Sequence, residues 1–284
     1  MQGFPAVKIL FITLLFLLPL TARTVRDVPY IDGGTAEQRL DIHLPKHPAG
    51  TLHPVIVAIH GGGWSAGSRS ASGFLQPKTR WLNGLGYIVV SIDYRLSPAV
   101  HHPAHIDDVC AAITWVEKHI AEHHGDPREI YLLGHSAGAQ LAALAATDTS
   151  RLRKAGGDPR AIQGVILLDG VGYDIPTELT RPRMQELLRQ AILSAFTSDP
   201  ATQRNASPVY HVHRGVAPFL LLHPGDSTPP HHPALLMAEA LRRQGGYARV
   251  VAIPNKDHTS LSHDLGRRGD PTTKAVEAFL GLDP

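Results

Sequence analysis

Ser136 stands at the centre of Gly134-His135-Ser136-Ala137-Gly138, a G-x-S-x-G pentapeptide. Before it lies a short apolar run, Ile130 to Leu133, with strand character; after it, Ala139 to Ala146 is rich in Ala and Leu and reads as a helix. A serine on such a strand–turn–helix corner projects clear of its own backbone, and the residues two before and two after it must be small. The hydroxyl is a weak nucleophile at neutral pH, so it needs a base to take its proton and a carboxylate to orient that base. His258 follows the apolar run Arg249 to Ile253, and Asp226 follows Phe219 to Leu222. Negative charge on an attacked carbonyl oxygen also needs fixed N–H donors. The glycine loop His60-Gly61-Gly62-Gly63-Trp64 follows the apolar run Val55 to Ile59. We assign the N–H groups of Gly62, Gly63 and Ala137 to that oxyanion, with His60 bracing the loop.

These groups must be carried by a sheet. Val55–Ile59, Tyr87–Asp93, Ile130–Leu133, Gly164–Leu168, Phe219–Leu222 and Arg249–Ile253 are short, nearly continuous apolar runs, as expected of strands buried on both faces. Arg39–Leu44 alternates and reads as an earlier strand. Helical spacing covers roughly 76–83, 105–119, 234–241 and 272–280. In 105–119, Ile106, Val109, Cys110, Ile113 and Val116 share one face, and Gly245-Gly246 stops the helix begun near Ala234. Strands alternating with amphipathic helices give an α/β fold with a mostly parallel sheet covered on both faces. Residues 170–215 are too long for a plain connection and read as a small cap-like insertion with one amphipathic helix, about 184–196.

Composition narrows the function. Of 284 residues, 27 are Lys or Arg and 25 are Asp or Glu, a formal charge of +2 that points to no nucleic-acid partner. The single cysteine, Cys110, permits no internal disulfide and lies in an apolar helical pattern, so a buried inert thiol is expected. Lys8, the apolar run Ile9 to Leu20 and then Thr21-Ala22 have the order of a secretory signal peptide over residues 1–22, cut after Ala22. Residues 23–284 would then form one exported domain, periplasmic or secreted, without a stable membrane span; an uncleaved N-terminal anchor is the alternative. The 18 histidines include His101, His102 and His105, His119 and His123, and His231 and His232. They show no metal-ligand pattern and are expected to be solvated surface groups, with no metal. Trp64 either lines an acyl pocket or packs against the glycine loop.

The motifs YIDGGTAEQRLDIHLP (30–45), HGGGW (60–64), DYRLSP (93–98), HPAHIDDVCAAITWVEKH (102–119) and GDPREIYLLGHSAGAQLAALA (125–145) resemble the α/β-hydrolase superfamily. The resemblance is to the esterase/lipase branch with an HGGG-type oxyanion loop, and most to bacterial carboxylesterases and kynurenine formamidase-like enzymes. It implies an α/β-hydrolase fold, a Ser-Asp-His chain order met by Ser136, Asp226 and His258, an acyl-enzyme mechanism on a small-molecule ester, and no cofactor. His135 and Ala139 depart from the GDSAGG of the hormone-sensitive-lipase branch. His223-Pro224-Gly225-Asp226 departs from the family's H-G-x-x-D, the aspartate coming one residue early, with Asp257 and Asp264 as fallback acids. A carboxylic-ester hydrolase is the expected activity. An amide hydrolase of the kynurenine formamidase (arylformamidase) type would use the same residues, and a non-catalytic binding module on a hydrolase scaffold is the rival from another class.

Overall fold

The computed structural model describes residues 23–46, 52–182, 184–225 and 232–282. Among them, eight strands form one sheet: β1 (Arg23–Pro29), β2 (Arg39–Leu44), β3 (His53–Ile59), β4 (Ile88–Ile92), β5 (Gly125–His135), β6 (Ile162–Leu168), β7 (Phe219–Pro224) and β8 (Ala248–Ile253). Their order across the sheet is β1-β2-β4-β3-β5-β6-β7-β8. β1 pairs with β2, and β2 with β4, antiparallel; the pairings from β4 to β8 are parallel. This is the α/β-hydrolase fold.

The apolar runs alternate between two cores, as the two-residue period of a strand requires. Val55, Val57 and Ile59 of β3 face one side, with α2 (Ala104–His119) and α3 (Ala137–Thr147) over them. Ile56 and Ala58 face the other side, against α1 (Ser72–Gly84) and α10 (Pro271–Phe279). Cys110 is buried in the first core, where desolvation pushes its thiol up to about 12. That makes it the inert thiol expected. α8 (Pro233–Arg243) ends where Gly246 N–H bonds the Leu241 carbonyl at 2.9 Å, beside Gly245 with a positive φ.

Three differences from the sequence reading have local causes. β1 is a polar edge strand with an irregularity between Val25 and Val28, so it carries no apolar alternation to read. β5 starts at Gly125, ahead of the apolar run Ile130–Leu133; α2 has already ended, and His124 reverses the chain in a left-handed conformation. Among the described residues the 170–215 segment holds three α-helices rather than one: α5 (Ile175–Leu179), α6 (Glu186–Phe196) and α7 (Pro200–Asn205). The two short ones each begin with a capping aspartate. The Asp174 side chain accepts from Thr177 N–H, and that of Asp199 from Ala201 and Thr202 N–H. The remaining helices are α4 (Thr149–Lys154), between α3 and β6, and α9 (Ser260–His263), directly after His258.

Candidate active site

β5 runs straight into the elbow. Ser136 adopts φ 55° and ψ −121°, a conformation an L-residue holds only under constraint. Two constraints are visible. Ser136 N–H bonds the Leu168 carbonyl of β6 at 3.0 Å, and α3, buried along its whole length, fixes the other arm. The glycines are required at this corner. A Cβ on Gly134 would overlap the Gly138 carbonyl, and one on Gly138 would overlap the carbonyls of Ile59 and His60. The small-residue rule read from the pentapeptide therefore holds on steric grounds.

His258 lies in the loop after β8, its side chain 47% exposed. Its Nδ1–H donates to Oδ2 of Asp169 at 2.7 Å. Asp169 closes β6, with a positive φ of 42° and its N–H bonded to the Leu222 carbonyl of β7 at 2.8 Å. The carboxylate is mostly buried, which alone would raise its pKa. Hydrogen bonds from His232 and His258, and their charges, instead hold it well below the usual carboxylate range. The second contact is from His232 Nε2 to Oδ1, at 3.5 Å. His232 Nδ1 accepts from Ala234 N–H at 3.2 Å, at the start of α8, so the ring proton sits on Nε2 and faces Asp169. His135 supports His258 from below: its Nε2–H donates to the His258 carbonyl at 2.9 Å, with ring centroids 4.7 Å apart. Burial and the neighbouring His258 push His135 down to about 4, so it stays a neutral donor at physiological pH.

Asp226 lies outside the described residues. The two fallback acids are engaged elsewhere. Asp257 accepts from the N–H groups of Thr259 and Ser260, and Asp264 takes the Lys256 ammonium at 2.8 Å. Asp169 is a carboxylate beside His258 that the sequence reading did not single out. Its signal was present: an aspartate at the C-terminal end of a buried strand, on the rim where sites of open parallel sheets lie.

The glycine loop arches over the serine. A Cβ on Gly61 would stand 3.1 Å from Ser136 Cβ. Among the described residues the N–H groups of Gly62, Gly63 and Ala137 donate to no backbone carbonyl. His60 is buried and braces the loop as expected: Nδ1–H donates to the Gly61 carbonyl at 2.7 Å, and the ring stacks on Tyr94 at 4.5 Å. Tyr94 O–H donates to the His60 carbonyl at 3.0 Å, and Asp93 accepts from Arg69. Trp64 is fully buried, so of its two readings packing is the observed one. Its Nε1–H donates to Gln140 at 2.9 Å, and its ring meets Phe196 of α6 edge-on at 4.8 Å. α6 thereby lies against the glycine loop, with Ala191 nearest Gly63. The expectation of solvated histidines fails at His105, which is fully buried against Ser97 Oγ at 3.0 Å, and at His232. His119 keeps to the surface, paired with Glu122.

Ser136 thus stands at positive φ beneath the glycine loop, and its neighbour His135 meets the ring of His258, which is paired with Asp169. Residues 40–241, more than half of the chain, match the BD-FAE family. The chain belongs to that family. It is 35% identical over 272 residues to the esterase LipQ of Mycobacterium tuberculosis, covering 92% of this chain and 63% of that protein. It is likewise 35% identical over 265 residues to the probable carboxylic ester hydrolase LipM of the same organism, covering 89% of this chain and 60% of that one. The chain thus spans about 60% of the length of these curated relatives. Among solved structures, the thermostable carboxylesterase EstE1, cloned from a metagenomic library, superimposes with a TM-score of 0.71 at 24% identity. That match covers 93% of this chain and 90% of EstE1, and it supports the fold.

Proposed function

We propose that the protein is a serine hydrolase of small carboxylic esters, working through Ser136, His258 and Asp169. The observation that carries this reading is the His258 Nδ1–Asp169 contact at 2.7 Å, on a histidine whose ring meets that of His135, the residue preceding a serine held at positive φ. Ser136 Oγ attacks the acyl carbon while His258 Nε2 takes its proton. The oxyanion is met by the N–H groups of Gly62, Gly63 and Ala137, each such donor contributing about 3 kcal/mol. Collapse expels the alcohol, which leaves with the proton from His258, and an acyl-Ser136 ester remains. Water then attacks that ester, giving its proton to His258; the acyl–Oγ bond breaks, His258 returns the proton to Ser136 Oγ, and the carboxylic acid is released. Asp169 fixes the tautomer of His258 and stabilises its imidazolium. Its depressed pKa keeps it ionised throughout the working range. The leader expected over residues 1–22 makes the enzyme an exported one.

The test is hydrolysis of a p-nitrophenyl ester series from acetate to laurate, with N-formylkynurenine alongside. Ser136→Ala should fall to background. Asp169→Asn should lower kcat by about 10³- to 10⁴-fold, as loss of the orienting carboxylate does in other triads, while Asp226→Asn keeps most activity. The reverse ranking of the two aspartate variants would return the acid role to Asp226. Inert esters with rapid formamide cleavage would make the protein an amide hydrolase.

A further inference from the structure

A groove unconnected with the elbow runs along the opposite part of the molecule. Its walls are the edge strand β1 and its neighbour β2 on one side and α1 on the other, with Leu75 and His43 among its lining residues, and it encloses about 640 Å³. Arg23, Arg26, Lys46 and Arg80 line it, and among the described residues no carboxylate does. Only Arg26 has an acidic partner, Asp41 at 3.5 Å; Arg23, Lys46 and Arg80 have none among the described residues. Arg80 also borders a second hollow across α1, together with Arg267 and Arg268, and that one too has no carboxylate among its described lining residues. The sequence shows no basic run. The fold gathers these cations from four separate segments onto one face of a chain whose formal charge is only +2.

We infer that this face docks on a membrane surface, its groove taking the phosphate of an anionic phospholipid headgroup. Guanidinium groups match phosphate oxygens in pairs, and exposed cations without a carboxylate partner around a concave site are open to an anion from outside. The source is indicated by the chain itself. The apolar run Ile9 to Leu20 ends three residues before Arg23, which stands at the groove. Three extended residues reach about 10 Å. A run seated in a bilayer would therefore hold the groove at the headgroup level. Cleavage after Ala22 would instead add the new α-amino group of Arg23 to the same cluster, so the surface stays cationic either way.

Vesicle co-sedimentation of the full chain tests this. Phosphatidylcholine vesicles are compared with vesicles that also contain phosphatidylglycerol; the apolar run contributes equally to both. The wild-type chain should prefer the anionic vesicles, less so as salt rises. Lys46→Glu with Arg80→Glu should weaken that binding by at least about tenfold and leave phosphatidylcholine binding unchanged. Arg204→Glu with Arg214→Glu, a charge-matched change between β6 and β7, should keep the preference. Equal binding to both vesicle types, or equal loss in both double variants, overturns the proposal. So does a wild-type chain that binds inorganic phosphate or duplex DNA through Lys46 and Arg80 but shows no vesicle preference. Thermal midpoints of the variants report folding independently of any ester hydrolysis.

Discussion

At Asp169 a single carboxylate serves two histidines, and the two are not equivalent. His258 offers Nδ1–H at 2.7 Å, while His232 stands at 3.5 Å with its tautomer set by the Ala234 amide. In the proposed mechanism the short contact belongs to the reacting histidine and the long one steadies the carboxylate. His232→Ala should therefore lower kcat about fivefold with little change in KM, near the value of one modest hydrogen bond of about 1 kcal/mol. Steady-state ester kinetics check it; an unchanged kcat would leave His232 as a helix cap alone. The serine and the histidine were legible in the sequence because steric rules and motif context confine them to one place each. The acid was less so. β6 and β7 are adjacent and parallel, so their C-terminal ends lie about 5 Å apart on the same rim. A carboxylate at either end can face His258, and spacing along the chain does not separate the two.

Among the elements, the arm that returns from the glycine loop is anchored by one side chain. Arg69 donates to Asp41 of β2 at 3.0 Å, to Asp27 of β1 at 2.7 Å, and to Asp93 at the end of β4. Asp41 and Asp93 are buried, and burial of the guanidinium opposes its charge less than these carboxylates favour it, so its pKa is raised. Arg69→Met would leave two buried carboxylates short of their main partner, a loss of about 3 kcal/mol and roughly 6–12 °C in the thermal midpoint. Arg69→Lys should recover little of it, because an ammonium cannot reach three strands at once. Scanning calorimetry of both variants reads this, and a Lys variant as stable as wild type would reduce Arg69 to an ordinary surface cation. Nothing in the sequence announced this junction. The parallel strands β3 to β8 were readable because burial on both faces writes a continuous apolar run. β1 was not, because an exposed edge strand such as TVRDV writes none. In the same way α6 was foreseen from its apolar face, whereas α5 and α7 are too short to show a period and are marked only by Asp174 and Asp199.

For the whole molecule, buried neutral histidines set how folding responds to acid. His105 lies against Phe196 and Tyr94, and His135 lies beside the elbow; desolvation pushes both down to about 4. In the unfolded chain each would titrate near 6.5. As pH falls below 6.5 the unfolded state therefore binds protons that the folded state refuses, and stability declines. The decline continues until the pH reaches about 4, where the folded histidines also protonate. Each group can contribute a slope of up to about 1.4 kcal/mol per pH unit within that window. Asp169 adds nothing there, since its carboxyl is held below the unfolded value and its stabilisation is lost only at lower pH. Urea unfolding at pH 7.5, 6.0 and 5.0 should show the midpoint dropping mainly over the lower step, from 6.0 to 5.0. His105→Gln keeps a polar partner for Ser97 but has no proton to gain, so it should make that slope shallower by one histidine's share, burial holding His60, His43 and His102 down as well. A midpoint that is flat from pH 7.5 to 5.0, or a slope untouched in His105→Gln, would mean that these rings reach water before the chain unfolds.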